Sequence, residues 1–162
     1  MDSIALLTEA YKSYFTEIGE KDGFAVFTII NPFWDGNIEV HIDSDDISGE
    51  GIIFYFPLHH AHFDEDFDSL IEYINDFLQG ERFAVALYQD DNLILGCSYR
   101  GEIDTSSGES IVKSLAGDGP LYPGSNTTAY ESLQKQLEGR HGRCSIRGWN
   151  NALNQDIEFT ML

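Results

Sequence analysis

The residues best suited to chemistry lie together: the stretch FYFPLHHAHFDEDFD, residues 54–68, places His59, His60 and His62 directly ahead of Asp64, Glu65, Asp66 and Asp68. Two imidazoles and a carboxylate are a frequent ligand set for a divalent metal, and a metal-held water can hydrolyse esters or amides. Zinc, however, wants ligands fixed by a rigid frame, such as two histidines one helical turn apart. On a strand, His60 and His62 would share one face and His59 would take the other; in a turn, the spacing matches no template. The reading adopted is a polar, partly exposed corner that leads from Pro57 into a helix cap, with no metal and no cofactor assigned. A metal-dependent hydrolase using the His59–Asp66 corner is the catalytic alternative.

Other sources of chemistry are weaker. Counted from Asp43 as a calcium loop, the fifth position is Ile47, the sixth Ser48 and the twelfth Phe54, where an oxygen ligand, glycine and glutamate are needed. The chain holds no nucleophile elbow, no phosphate-binding loop and no dinucleotide fingerprint. Cys97 and Cys144 sit in apolar or strand-like segments and read as buried thiols. No catalytic residue is assigned. Two tryptophans stand at turn-like positions, Trp34 beside Asp35 and Trp149 before Asn150 and Asn151. An indole on a loop packs against its own domain or anchors a partner. Trp149, flanked by a strand, is expected to be the more internal of the two.

Hydrophobic spacing supplies the elements that must position these groups. Ile4, Leu7, Tyr11, Tyr14, Phe15 and Ile18 recur at threes and fours, which predicts a helix over 3–18, capped by Ser3 and ended by Gly19. Strands are predicted at 24–30, 37–43 and 51–57, the first two joined by a tight turn at Asp35-Gly36 with positive φ. Phe67, Leu70, Ile71, Ile74, Phe77 and Leu78 predict an amphipathic helix over 67–78 whose first turn carries Asp64, Glu65, Asp66 and Asp68. A hairpin over 82–88 and 93–99 follows, and residues 100–124 read as a long loop holding at most one short element. Thr128 and Glu131 form a capping box for a third helix that Gly139 ends, and 144–149 with 155–161 make a last hairpin. The links between strands are too short for parallel crossovers. The expected fold is α+β: one domain over 1–162, a mainly antiparallel sheet of about five to seven strands, and two or three helices packed on it.

Charge then limits the partners. The chain has 28 acidic and 9 basic residues, a formal charge of −19. Residues 1–99 hold 20 acids against 3 bases, and residues 100–162 hold 8 against 6. Phosphate backbones and anionic membranes require fields of lysine and arginine, so nucleic acid and lipid are excluded as partners and a basic protein is favoured. The first residues lack the basic and unbroken apolar regions of a signal peptide, and no run of residues is apolar enough to span a bilayer, so a cytoplasmic location is expected.

FYFPLHHAHFD ahead of an acidic helix, the hairpin FAVALYQDDNLILGCSYRG and the late SIRGWNNALNQDIEF together resemble the small acidic bacterial immunity proteins of polymorphic and contact-dependent toxin systems. The resemblance covers roughly residues 54–101 and 145–159. It implies a cytosolic domain that binds one cognate toxin, in some cases a nuclease, and occludes its active site; it transfers no individual residue. From charge, the partner-binding surface is expected at Asp43, Asp45, Asp46, Asp64, Glu65, Asp66 and Asp68, with Trp34 and Asp35 as an anchor. A structural or regulatory adaptor is the non-catalytic alternative.

Overall fold

A computed structural model describes residues 2–43, 51–64 and 66–161. It is an α+β fold built on two antiparallel sheets rather than one. The first sheet is a five-stranded meander in sequence order: β1 (Thr16–Lys21), β2 (Phe24–Ile29), β3 (Ile38–Asp43), β4 (Ile52–Phe56) and β5 (His59–Asp64). The second has the order β7-β6-β8-β9, from β6 (Arg82–Gln89), β7 (Asn92–Arg100), β8 (His141–Arg147) and β9 (Gln155–Thr160). Helices α1 (Ser3–Ala10) and α2 (Phe67–Leu78) belong to the first sheet, α3 (Gly108–Ala116) and α4 (Ala129–Leu137) to the second.

The expected helix over 3–18 is the main correction. The helix ends at Ala10, and its cap is Asp2, whose carboxylate accepts from the Ala5 N–H at 3.0 Å, not Ser3. Residues 16–21 instead pair with β2, in the register Thr16 to Ile29 and Lys21 to Phe24. The turn between them is Asp22-Gly23, with φ of 52° and 85°, the paired positive values that suit a two-residue hairpin. A hairpin signal with strand partners in register outweighs three apolar residues at helical spacing.

The one short element allowed within 100–124 is a helix over 108–116, capped by Ser107, with Ile111 and Val112 fully buried against the second sheet. One further expectation changes. The Asp35-Gly36 pair is not a tight positive-φ turn; Gly36 has an ordinary φ and the link between β2 and β3 is an open loop. The capping box at Thr128 and Glu131 forms, with both of its hydrogen bonds present.

Each sheet has its own core. Phe27, Ile29, Ile38, Val40, Phe54 and Phe56 face Leu7 and Tyr11, with Leu70, Ile74 and Phe77 of α2. Phe83, Val85, Leu87, Cys144 and Ile146 face Ile111, Val112, Leu133 and Leu137 of the other helix pair. Helix α2 ties the halves together. Phe77 packs on Phe54 at 5.1 Å and Phe56 at 5.0 Å between ring centroids, while Ala84 of β6 and Trp149 join the same cluster. Among the described residues, no helix is long and apolar enough to cross a membrane.

Candidate functional site

The three histidines are not on a corner. Pro57 and Leu58 make a turn, with Leu58 at φ 70°, and residues 59–64 return as an extended fifth strand that pairs His60 with Tyr55 and His62 with Ile53. Alternation then separates the imidazoles. His60 and His62 are exposed on one face with ring centroids 5.4 Å apart, and His59 turns to the other face, against Phe54 and Phe77. Among the described residues, no group of three or more histidines, cysteines and carboxylates is gathered closely enough to hold a metal ion.

His59 belongs to a closed polar chain between the sheets. Its Nε2 lies 2.6 Å from the Tyr73 hydroxyl, which donates to Ser98 Oγ at 2.6 Å; Arg82 donates to the same oxygen at 3.0 Å and stacks over Tyr73 at 4.5 Å. With the tyrosine proton directed to Ser98, His59 is the Nε2–H tautomer, donating to Tyr73. Arg82 is held in turn by Asp76 at 3.3 Å. These groups satisfy one another, and they join α2 to β6 and β7.

The half-buried position of His59 has a pH consequence. Burial, then the charges of His60 and Arg82, lower its pKa from 6.5 to about 4. The folded state therefore binds fewer protons than the unfolded chain between these values, so His59 contributes stability that is complete above about pH 6.5 and is lost progressively toward pH 4. Urea unfolding at pH 7 and pH 5 should show a lower midpoint at pH 5, and His59→Gln should flatten that difference. An unchanged slope in the variant would place the pH dependence elsewhere.

Neither thiol is activated. Burial raises Cys97, and burial, with Cys97 and Asp156 as lesser causes, pushes Cys144 up to about 12.

What the fold does assemble is an acidic end. Antiparallel order brings the β1–β2 turn, the end of β3, the start of β4 and the end of β5 to the same side of the first sheet. Asp22, Asp43, Asp64, Asp66 and Asp68 all lie there, across four strand spacings or roughly 19 Å. The link between Asp43 and Gly51 carries Asp45, Asp46 and Glu50 in sequence; Asp45, Asp46 and Glu65 lie outside the described residues. Between the strand ends is a cleft of about 370 Å³ lined by Ser3, Ile42, Asp43, Gly51, Ile52, Asp64 and Phe67. Its floor is apolar and its rim carries carboxylates.

The carboxylates at this end differ in role. Asp66 caps α2, accepting from the Ser69 N–H at 3.1 Å and the Ser69 hydroxyl at 2.6 Å, and these bonds lower its pKa. Asp68 lies in the first helical turn, and Asp22 and Asp64 are exposed. Ion pairs with arginine fall elsewhere, on Asp76, Glu81, Asp90 and Asp156. Lys21 is the one lysine or arginine at this end among the described residues.

Trp34 and Asp35 lie at the other end, one strand length or about 20 Å away. Trp34 points inward: its indole N–H lies 2.9 Å from the carbonyl of Gly148 and 3.1 Å from that of Trp149, and its ring meets Phe56 edge-on. A side chain at Gly36 would collide with that ring. Trp149 is buried. The structure thus separates the expected indole anchor from the carboxylates. The sequence reading missed Asp22, whose signal was the Asp22-Gly23 dipeptide, and the apolar floor of Ile42, Ile52 and Phe67. No family model, curated protein or solved structure matches this chain.

Proposed function

We propose that this chain is a non-catalytic acidic binding protein that receives a basic protein at the acidic end of its five-stranded sheet. One observation carries the reading: the half-buried Asp43 and the exposed Asp64, from two separate strands, line a cleft with Ile42, Ile52 and Phe67, at the end of the sheet where Asp22, Asp66 and Asp68 are also exposed. Such a site suits a lysine or arginine whose methylene stem packs below while its charge stays at the rim. A width of roughly 19 Å is the scale of a protein interface. Within this class, the resemblance to acidic immunity proteins favours an inhibitor that covers the cleft of a bacterial toxin in the cytoplasm. Nucleases hold phosphates with basic clefts, which an acidic surface complements.

Pull-down with the products of neighbouring genes, followed by a test of whether this protein protects cells from one of them, decides the biological role. Loss of both binding and protection would sink it. For the interface, Asp64→Asn combined with Asp68→Lys should slow association about tenfold at low salt and flatten its salt dependence, with dissociation changing less. Stopped-flow association at two ionic strengths measures this. Unchanged on-rates would remove the acidic end from the contact.

A further inference from the structure

Strand β1 is outermost in the first sheet, and five of its six residues are exposed. Its backbone polarity follows from one bond. The Ile30 N–H donates to Phe15 O at 2.8 Å, and with Thr16 opposite Ile29, the alternation of an antiparallel pair directs the backbone groups of Glu17 and Gly19 toward β2. Those of Thr16, Ile18 and Glu20 therefore face outward, without a strand partner among the described residues. Side chains alternate as well: Ile18 lies on the face of Phe27 and Val40, and Glu17 on the face of Thr28 and Glu39.

The surroundings are apolar and acidic. Phe15 is 78% exposed, Ile18 60% and Phe33 50%, with Tyr14 close by in sequence. Beside the strand a shallow groove of about 230 Å³ is lined by three carboxylates, Glu17, Glu20 and Glu39, and one base, Lys21, with Ile18 and Val26 among its apolar residues. Natural sheets blunt their edges with charge and rarely leave large apolar side chains beside an open strand. Here both occur together, in the pattern that strand addition reads: main-chain bonds along the edge, and alternate side chains sorted to two faces.

We propose that β1 is a docking edge for an extended segment of a partner protein that alternates basic and apolar residues, the basic ones beside Glu17 and the apolar ones beside Ile18 on the opposite face. Charge argues against a second copy as occupant, since self-pairing would bring Glu17 and Glu20 of both strands to one seam on chains of formal charge −19. The inference rests on the geometry of β1 alone and does not require the acidic end to bind anything.

The test uses the full chain and a labelled synthetic peptide alternating lysine with valine, compared with one alternating glutamate with valine. Fluorescence anisotropy should show binding of the first only, and amide exchange at Thr16, Ile18 and Glu20 should slow when it is present. Ile18→Pro removes an outward N–H and no bond to β2, so it should weaken binding at least tenfold while circular dichroism stays unchanged. Glu17→Gln is a second variant that leaves the strand intact and should weaken binding several-fold. Absence of binding, equal binding of both peptides, or undiminished binding by both variants would overturn the proposal. Protection confined to residues 64–68 would also overturn it, and would support the acidic end instead. A concentration-dependent dimer lost in Ile18→Pro would assign the edge to a second copy and reject the peptide reading.

Discussion

Phe54→Ala should lower the free energy of unfolding by about 3–5 kcal/mol. Phe54 is fully buried in the middle of β4, with ring centroids of Tyr73 and Phe77 each 5.1 Å away and His59 at 6.3 Å. Truncation removes the ring's transfer energy and leaves a cavity at the point where the first sheet, α2 and the His59–Tyr73 chain converge. Neighbours on two different elements cannot both collapse into it. Phe54→Leu, which keeps most of the volume, should cost much less. Urea unfolding of both variants gives the comparison, and a loss below about 1 kcal/mol for the alanine variant would mean that the site repacks freely. Because natural domains are stable by only about 5–15 kcal/mol, Phe54→Ala should also be largely unfolded on modest warming.

Asn31→Ala should cost about 3 kcal/mol, a large effect for a polar residue in a loop. Its amide donates to Gly36 O at 2.7 Å and to Trp149 O at 2.8 Å, and its oxygen accepts from the Phe33 N–H at 2.8 Å. The residue is 8% exposed, so water has little access to the three backbone groups that alanine would leave without Asn31. Asn31→Asp should be worse, because a carboxylate would face two carbonyl oxygens. The same bonds join the β2–β3 loop to the segment after β8, so the loss should appear in the whole unfolding transition. A substitution that left the urea midpoint unchanged would show that this tie between the halves is dispensable.

Much of this architecture was legible in the chain. Strands β2, β3 and β4 were marked by β-branched and aromatic runs between turn residues, and α2 by six apolar positions at helical spacing. The capping box of α4 needed only Thr128 and Glu131. The misreadings have a common cause. Tyr14, Phe15 and Ile18 suit a helix by spacing, but the meander offers Thr16–Lys21 a full ladder with β2, which a helix over the same residues would forgo. Likewise, His59–Asp64 reads as a corner until Tyr55 and Ile53 are present to pair with it. In the candidate site, the carboxylates were visible one by one, and their assembly was not.

Composition and local pattern by themselves determined that this is an α+β chain with ample apolar residues for a core, a large excess of negative charge and no recognisable nucleophile motif. Those properties are sums over residues or over short windows, so they survive without knowing which segments meet. The tertiary structure decided that there are two sheets, that His59 is turned inward while His60 and His62 face out, that Trp34 bonds to Gly148 and Trp149, and that Asp22 joins Asp64 at one end. Each of these depends on pairing between segments far apart in sequence, and strand register, which fixes the face of every side chain, is set by the partner strand as much as by the strand itself.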